Sequence, residues 1–317
     1  MMKRVILVLF PICISIFLFS FNDKKENPPK AQIKTLIIDP GHGGIDPGAR
    51  GNFSNEADVS LAVSLKFGKA VQEQFPDLKI IYTRTTDVMA GNKRTKDEGL
   101  RYRANLANES GADLFIALHC NAAPDIRHRE YIGSRSVTSY TGKGKKRRKV
   151  TRKIPQYRYW TSPNPAHGTE TYIWAVGKND AKVNAVNNKP AEEYGEIDST
   201  LTIELPDPSD PAEKARMLIY AQNFFKKSLN LADLVEKEFT ASGRFSRGVK
   251  QRNHAGIWVL QATGMPSILV ELGFITDEEE EKYINSEQGQ DEIVGDLVNA
   301  FTVYKQRVES RSINTSP

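Results

Sequence analysis

An α/β fold is what the chain predicts: a single domain with a mostly parallel central sheet, flanked by helices on both faces and carrying inserted loops. Three observations predict it. Short β-branched runs alternate with segments of helical period; the runs are apolar on both faces; and the order strand, helix, strand, helix, strand demands crossover connections.

Taken in order, Ile33–Ile38 is the first buried strand, and it runs into the glycine-rich stretch "DPGHGG". Ser54 or Asn55 can then cap a helix in which Val59, Ala62, Val63, Phe67, Ala70, Val71 and Phe75 recur at helical spacing, with Pro76 ending the pattern. Leu78–Arg84 is the second strand. Gly99–Ser110 is helical, stopped by Gly111, and Asp113–His119 is the third strand. The alternation breaks over Asn121–His167. Gly168–Val176 reads as another strand, and Asn179–Asp210 has little periodicity and several turn residues. Pro211 can open a long amphipathic helix carrying Met217, Leu218, Ala221, Phe224 and Phe225, which Ser228 can restart toward Phe239. Ser267–Phe274 is a further buried strand, and Asp277–Arg307 a terminal helix.

Length alone allows one large domain or two small ones. The chain has 317 residues, 39 % of them hydrophobic, which is enough for an ordinary core. Its start differs from the rest. A short basic Met1–Arg4 precedes the apolar Val5–Phe19, the layout of an export signal, and Leu18-Phe19-Ser20 matches a cleavage site poorly. Residues 1–21 are therefore expected to be a signal peptide or an uncleaved N-terminal membrane anchor, residues 22–32 a linker, and the remainder to work outside the cytoplasm, in the periplasm or cell envelope. There are two cysteines, Cys13 in the apolar segment and Cys120, so the mature fold is expected to rest on its core without a disulfide.

The net charge of +5 conceals an asymmetry. Between Arg127 and Arg158, twelve Lys or Arg stand against Glu130 alone, a local +11 that leaves the rest of the chain at −6. This basic insert, about 125–165, reads as a solvated loop. Its functional reading is contact with an anionic envelope polymer or lipid surface; behind an export signal no nucleic acid is expected.

The unusual polar residues fall at strand ends. Asp39 and His42 follow the first strand, His119 ends the third, Glu271 ends "SILVE", and Glu56 starts the helix after the His42 loop. In open α/β sheets ligands gather outside the carboxyl ends of the strands. "GHGGIDPG" is neither G-x-G-x-x-G nor a Walker loop, and Asp46 and Glu56 would repel phosphate. A single zinc ion fits better: His42, Glu56 and His119 supply the two His and one Glu of an open site, with Glu271 as general base and acid and Asp39 orienting an imidazole. Each residue also has a structural reading. A strand-end His can be a hydrogen-bonded scaffold residue, and Glu56 can serve the helix dipole. Cys120 should face away from His119, since strand side chains alternate. His128, His167 and His254 read as loop or surface residues.

With these residues stand "IIDPGHGGIDPGARG", "NEADVSLAVSLKFGKAV", "YTRTTD", "ANESGADLFIALHCNAAP", "GTETYIW" and "GIWVLQATGMPSILVELGFITDEEEEKYI", in that order. From about Lys34 to Tyr304 the chain resembles the zinc-dependent N-acetylmuramoyl-L-alanine amidases of family 3. The resemblance implies a catalytic domain over 33–307 with a tail at 308–317. It implies zinc on His42, Glu56 and His119, Glu271 as catalytic glutamate, and hydrolysis of the amide joining N-acetylmuramic acid to L-alanine in peptidoglycan, for wall remodelling or daughter-cell separation. Two alternatives remain open here: another zinc peptidase acting on stem peptides, and a non-catalytic peptidoglycan-binding protein. Where the family commonly has H-A-N, this chain has "HCN", which puts a thiol beside the site and suggests sensitivity to oxidation. Some members cover the zinc with a helix until a protein activator moves it. The regulatory insert at about 178–227, specifically Lys178–Asp210 or the helix after it, is expected to do so here.

Overall fold

Leu36, Ile37 and Ile38 are all fully buried, which a strand achieves only when both of its faces are covered. They form the centre of β1 (Thr35–Pro40) in a computed structural model that describes residues 32–174, 211–252 and 257–311. α1 (Glu56–Gln74) follows, and its cap is Asn55, whose side chain accepts from the Asp58 amide at 3.0 Å. β2 (Lys79–Tyr82) comes next, then α2 (Lys96–Glu109) and β3 (Leu114–Asn121). α2 starts three residues before the expected Gly99, because Thr95 and Glu98 form a reciprocal capping box.

Further along lie β4 (Ile126–Thr141), β5 (Arg148–Ser162), β6 (Thr169–Ile173) and α3 (Pro211–Ala241). The chain then forms β7 (Ser246–Gln251), α4 (Trp258–Ala262), β8 (Ser267–Phe274), α5 (Glu278–Asn285) and α6 (Glu287–Arg311). The sheet order is β2-β1-β3-β8-β6-β7. β2, β1, β3 and β8 run parallel, and β6 meets β8 antiparallel while pairing parallel with β7. The sheet is mostly parallel and helices cover both its faces, as the sequence pattern predicts.

Alternation along each strand sorts the core into two layers. Leu36, Ile38, Leu114, Ile116, Leu118 and Val270 join α1, α3 and α6 on one face. Ile37, Phe115, Ala117 and Leu269 join α2 and α4 on the other. Continuing that second row past the core carries Asp39, His119 and Glu271 to one face of the sheet, and His119 and Glu271 are register partners on β3 and β8.

Several elements differ from expectation. α3 runs through Ser228 without a break, since that buried hydroxyl accepts from the Ser267 amide at 2.9 Å and ties the helix to β8. The terminal helix is two helices, with Ser286 between them accepting from the Gly289 amide at 2.9 Å. β7 and α4 were not expected: "SRGVKQ" is a polar edge strand, and α4 is five residues long. The basic insert is not a loop. β4 and β5 pair antiparallel from Ile126↔Ser162 to Thr141↔Arg148, with a bulge between Tyr131 and Gly133. His128 accordingly lies on a strand, stacked on Trp160. The ribbon escapes a period-2 reading because neither face is buried, so no apolar alternation marks it.

The signal or anchor at 1–21, the linker through residue 31, the 178–210 part of the regulatory insert and His254 lie outside the described residues. Among the described residues no helix is long and apolar enough to cross a membrane. Of α3, Leu231, Val235 and Phe239 are buried in the core, and none of its described side chains lines the cleft over the sheet edge.

Candidate metal centre

His42 sits just past the end of β1 in a left-handed conformation, with φ of 57°. A non-glycine residue adopts this only where its surroundings enforce it. Two buried arginines do so. Arg84 donates from Nη2 to the Gly41 carbonyl at 2.6 Å and from Nε to the Pro40 carbonyl at 3.1 Å. Arg103 donates to the carbonyls of Pro40 at 2.7 Å and His42 at 2.5 Å, and also to Asp39. Three successive loop carbonyls are thereby fixed from beneath. Gly41 completes the arrangement, since a Cβ there would lie 2.5 Å from the His119 ring.

The imidazoles converge on one carboxylate. Glu56 Oε1 lies 3.0 Å from His42 Nε2 and 2.7 Å from His119 Nδ1. The two rings meet edge to face, 4.9 Å between centroids and 74° apart. One ligand atom from each of the three residues lies within 4.8 Å of the others, and among the described residues this is the one such group. Glu56 is the first residue of α1, but it does more than favour the helix dipole. Its Oε2 accepts from the Ala49 amide at 2.8 Å and its Oε1 from the Cys120 amide at 3.1 Å, so the carboxylate is fixed in place. Burial raises its proton affinity, yet the bonds to His119 and His42 overcome this and hold the carboxyl well below its ordinary range. For His42 burial works against protonation, and contact with Glu56 and then Asp46 prevails, raising its pKa.

Asp39 does not orient an imidazole. It is 1 % exposed, accepts from Thr83 Oγ1 at 2.5 Å, and pairs with Arg103. The orienting carboxylate is Asp46, whose Oδ2 lies 2.9 Å from His42 Nδ1 and whose Oδ1 pairs with Lys96 at 2.6 Å. This leaves His42 Nε2 to face Glu56 and His119. Asp46→Asn is expected to weaken divalent-metal affinity about 10- to 100-fold, measured by competition with a chromophoric chelator. Unchanged affinity would remove Asp46 from that role.

Glu271 is 8 % exposed, and its Oε2 is buried without a hydrogen-bond partner. Burial pushes its carboxyl up to about 8, and the charge of Glu56 adds to the shift. Across β6, register pairs it with Glu170, a buried carboxylate bonded to Tyr172 at 2.6 Å, Asn121 at 3.2 Å, Lys250 at 3.2 Å and Arg247. Cys120 lies in the opposite core layer from His119, and burial, with Glu56 and Glu271 nearby, raises its thiol well above the ordinary value. A buried protonated thiol is a poor nucleophile, so the expected oxidation sensitivity loses its basis. His167 is exposed against Phe245.

A cleft of about 450 Å³ opens over this face between α2 and α4. Lys96, Leu100, Trp258 and Arg252 line it together with the His-Glu-His set and Glu271. Two imidazole nitrogens and one carboxylate oxygen, with a buried unpartnered carboxyl beside them, are a donor set suited to zinc with an open position. Sequence reasoning missed Asp46, Arg84, Arg103 and Glu170. Arg84 was visible as the cation at the end of "YTR", but nothing marked which carbonyls it serves.

Fold and site together define an α/β protein with one open His-Glu-His set at the carboxyl edge of its sheet. The chain belongs to the N-acetylmuramoyl-L-alanine amidase family, whose profile matches residues 36–302. It is 34 % identical over 154 residues to a germination-specific N-acetylmuramoyl-L-alanine amidase of Bacillus subtilis, covering 46 % of this chain and 62 % of that one. Against AmiA of Salmonella typhimurium it is 23 % identical over 296 residues, covering 93 % and 84 %. The fold also matches the solved CwlD amidase from Clostridioides difficile in complex with the GerS lipoprotein. The TM-score is 0.53 at 21 % identity, covering 86 % of this chain and 99 % of that one. The chain spans less than two thirds of the length of the first curated relatives it matches.

Proposed function

We propose that the chain is a zinc-dependent amidase that hydrolyses the bond between N-acetylmuramic acid and L-alanine in peptidoglycan. The carrying observation is the open His42–Glu56–His119 set with the buried, unpartnered Glu271 beside it in a family of such amidases. When bound there, zinc supplies Lewis acidity at the open end of the set. The protein's own part lies in holding, orienting and moving a proton. Asp46 and Glu56 orient the imidazoles, and Arg84 and Arg103 fix the loop that carries His42. Glu271 takes a proton from the attacking water as the C–O bond forms, and returns it to the alanine nitrogen as the C–N bond breaks. Lys96 and Arg252 line the cleft as cations, which suits a substrate whose peptide carries carboxylates.

A single metal group among the described residues disfavours the two-metal peptidase alternative, and the complete set with Glu271 disfavours a purely binding protein. The proposal includes export to the envelope and, since the CwlD relative was solved with a lipoprotein, a protein partner that acts on segment 178–210. Digestion of purified sacculi, read by mass spectrometry, tests the activity. Fragments with a free N-terminal L-alanine and intact muramic acid are expected, and a chelator should abolish them. Release of D-alanine would point to a carboxypeptidase, and no release under any metal condition would support a binding protein.

A further inference from the structure

Twelve cations and one carboxylate lie within a ribbon that no core requires. Outside their mutual pairing, β4 and β5 make no extensive contact with another element among the described residues, and both strands are largely exposed on both faces. At about 3.3 Å per residue the ribbon reaches roughly 50 Å. An isolated two-stranded hairpin is marginal in water, so its composition calls for an explanation other than packing.

The charges are arranged rather than merely dense. Arg127, Arg129, Arg135, Lys149, Arg152 and Lys153 each lie directly opposite a neutral partner, and Arg158 opposite Glu130. Like charges facing across a ladder would destabilise it, so this register tolerates positive charge along the whole length. Among the described residues, Arg158 alone in the ribbon has an ion pair, at 3.3 Å to Glu130. The aromatic residues are placed differently, mostly at the root. Tyr131, Tyr157 and Tyr159 share one face, 59 %, 36 % and 70 % exposed, with ring centroids 5.8 and 6.2 Å apart. Trp160, 47 % exposed, stacks on His128 on the other face. Exposed aromatic clusters of this kind mark interaction surfaces. The root adjoins the cleft: Asn121 and Ala122 line it, and β4 begins four residues later.

We propose that the β4–β5 ribbon is a holding arm for the polymeric substrate, an extended glycan whose peptide branches carry carboxylates. The proposal rests on the amidase reading above. The tyrosine faces toward the root, with Arg129 over one side of Tyr157 at 5.5 Å, offer platforms for the C–H faces of sugar rings, and the cations beyond them meet the carboxylates of successive branches. A bilayer is the poorer fit, because the tip from Gly142 to Arg147 has no apolar side chain to insert. Duplex nucleic acid would use the cations but not a position beside the cleft.

Co-sedimentation of the full chain with purified sacculi tests this, every protein carrying Glu271→Gln so that hydrolysis does not consume the polymer. One variant adds Tyr131→Ser, Tyr157→Ser and Tyr159→Ser; another adds Lys145→Gln, Lys146→Gln, Arg148→Gln and Lys149→Gln. Each is expected to weaken sedimentation about tenfold or more, with unchanged melting of the body. Added salt should weaken the parent more than the cation variant. Sedimentation indifferent to both variants would overturn the proposal, as would tighter binding to a duplex oligonucleotide or to phosphatidylglycerol vesicles than to sacculi. Ribbon-dependent sedimentation with no fragment release by the wild type would strike the amidase reading alone. Fragment release with ribbon-independent sedimentation would strike this proposal alone.

Discussion

Glu271→Gln is expected to lower amide hydrolysis by about 10³-fold or more while leaving metal content unchanged. Glutamine keeps the shape but cannot take a proton from water, and Glu271 is not one of the three convergent donors. The same substitution should move stability in the opposite direction from activity. Folding raises this carboxyl from 4.5 to about 8, so between those values the native state binds a proton that the unfolded state has released. Native stability contributed by the group therefore falls as pH rises from about 4.5 to about 8. A shift of this size corresponds to at most roughly 5 kcal/mol. Metal-free Glu271→Gln should melt above the wild type at about pH 8.5 and together with it at about pH 4. Equal melting at both pH values would show that the carboxyl is not desolvated, and full activity in the variant would remove it from the chemistry.

Arg103→Leu should be the most costly substitution to the fold near the site. Arg103 and Asp39 are 3 % and 1 % exposed, and the leucine leaves the carboxylate buried with only the Thr83 hydroxyl. Removing one partner of a buried pair costs about 3–5 kcal/mol. It also frees the His42 carbonyl, so metal affinity should fall even though Arg103 is not a ligand. Urea unfolding measures the loss. Adding Asp39→Asn to Arg103→Leu should recover part of it, because the stranded charge disappears. No recovery would assign the cost to packing of the loop instead.

The sheet and its site were legible to different depths. Residues such as Leu36–Ile38 and Ile268–Val270 announce buried strands because both neighbours are apolar, and strand order then places His42, His119 and Glu271 at one edge. Glu56 was legible through its place at a helix start. The supporting polar residues were not. Asp39 and Asp46 are both carboxylates near His42, and choosing which orients the ring requires knowing that Arg103, sixty-four residues away from Asp39 in sequence, claims the first. The ribbon escaped for the complementary reason: a strand that buries neither face leaves no hydrophobic signature, and twelve cations look like any solvated run.

The place of β8 between β3 and β6 separates the three donors from Glu271 along the chain. The last of the three convergent donors is His119, so the first part of the chain to leave a ribosome carries all three. Glu271 arrives on β8, which must insert between β3 and the already synthesised β6. A nascent or truncated chain that ends before residue 267 can hold the metal donors and lacks the proton carrier. A chain built this way completes its candidate site only when its last strand is in place.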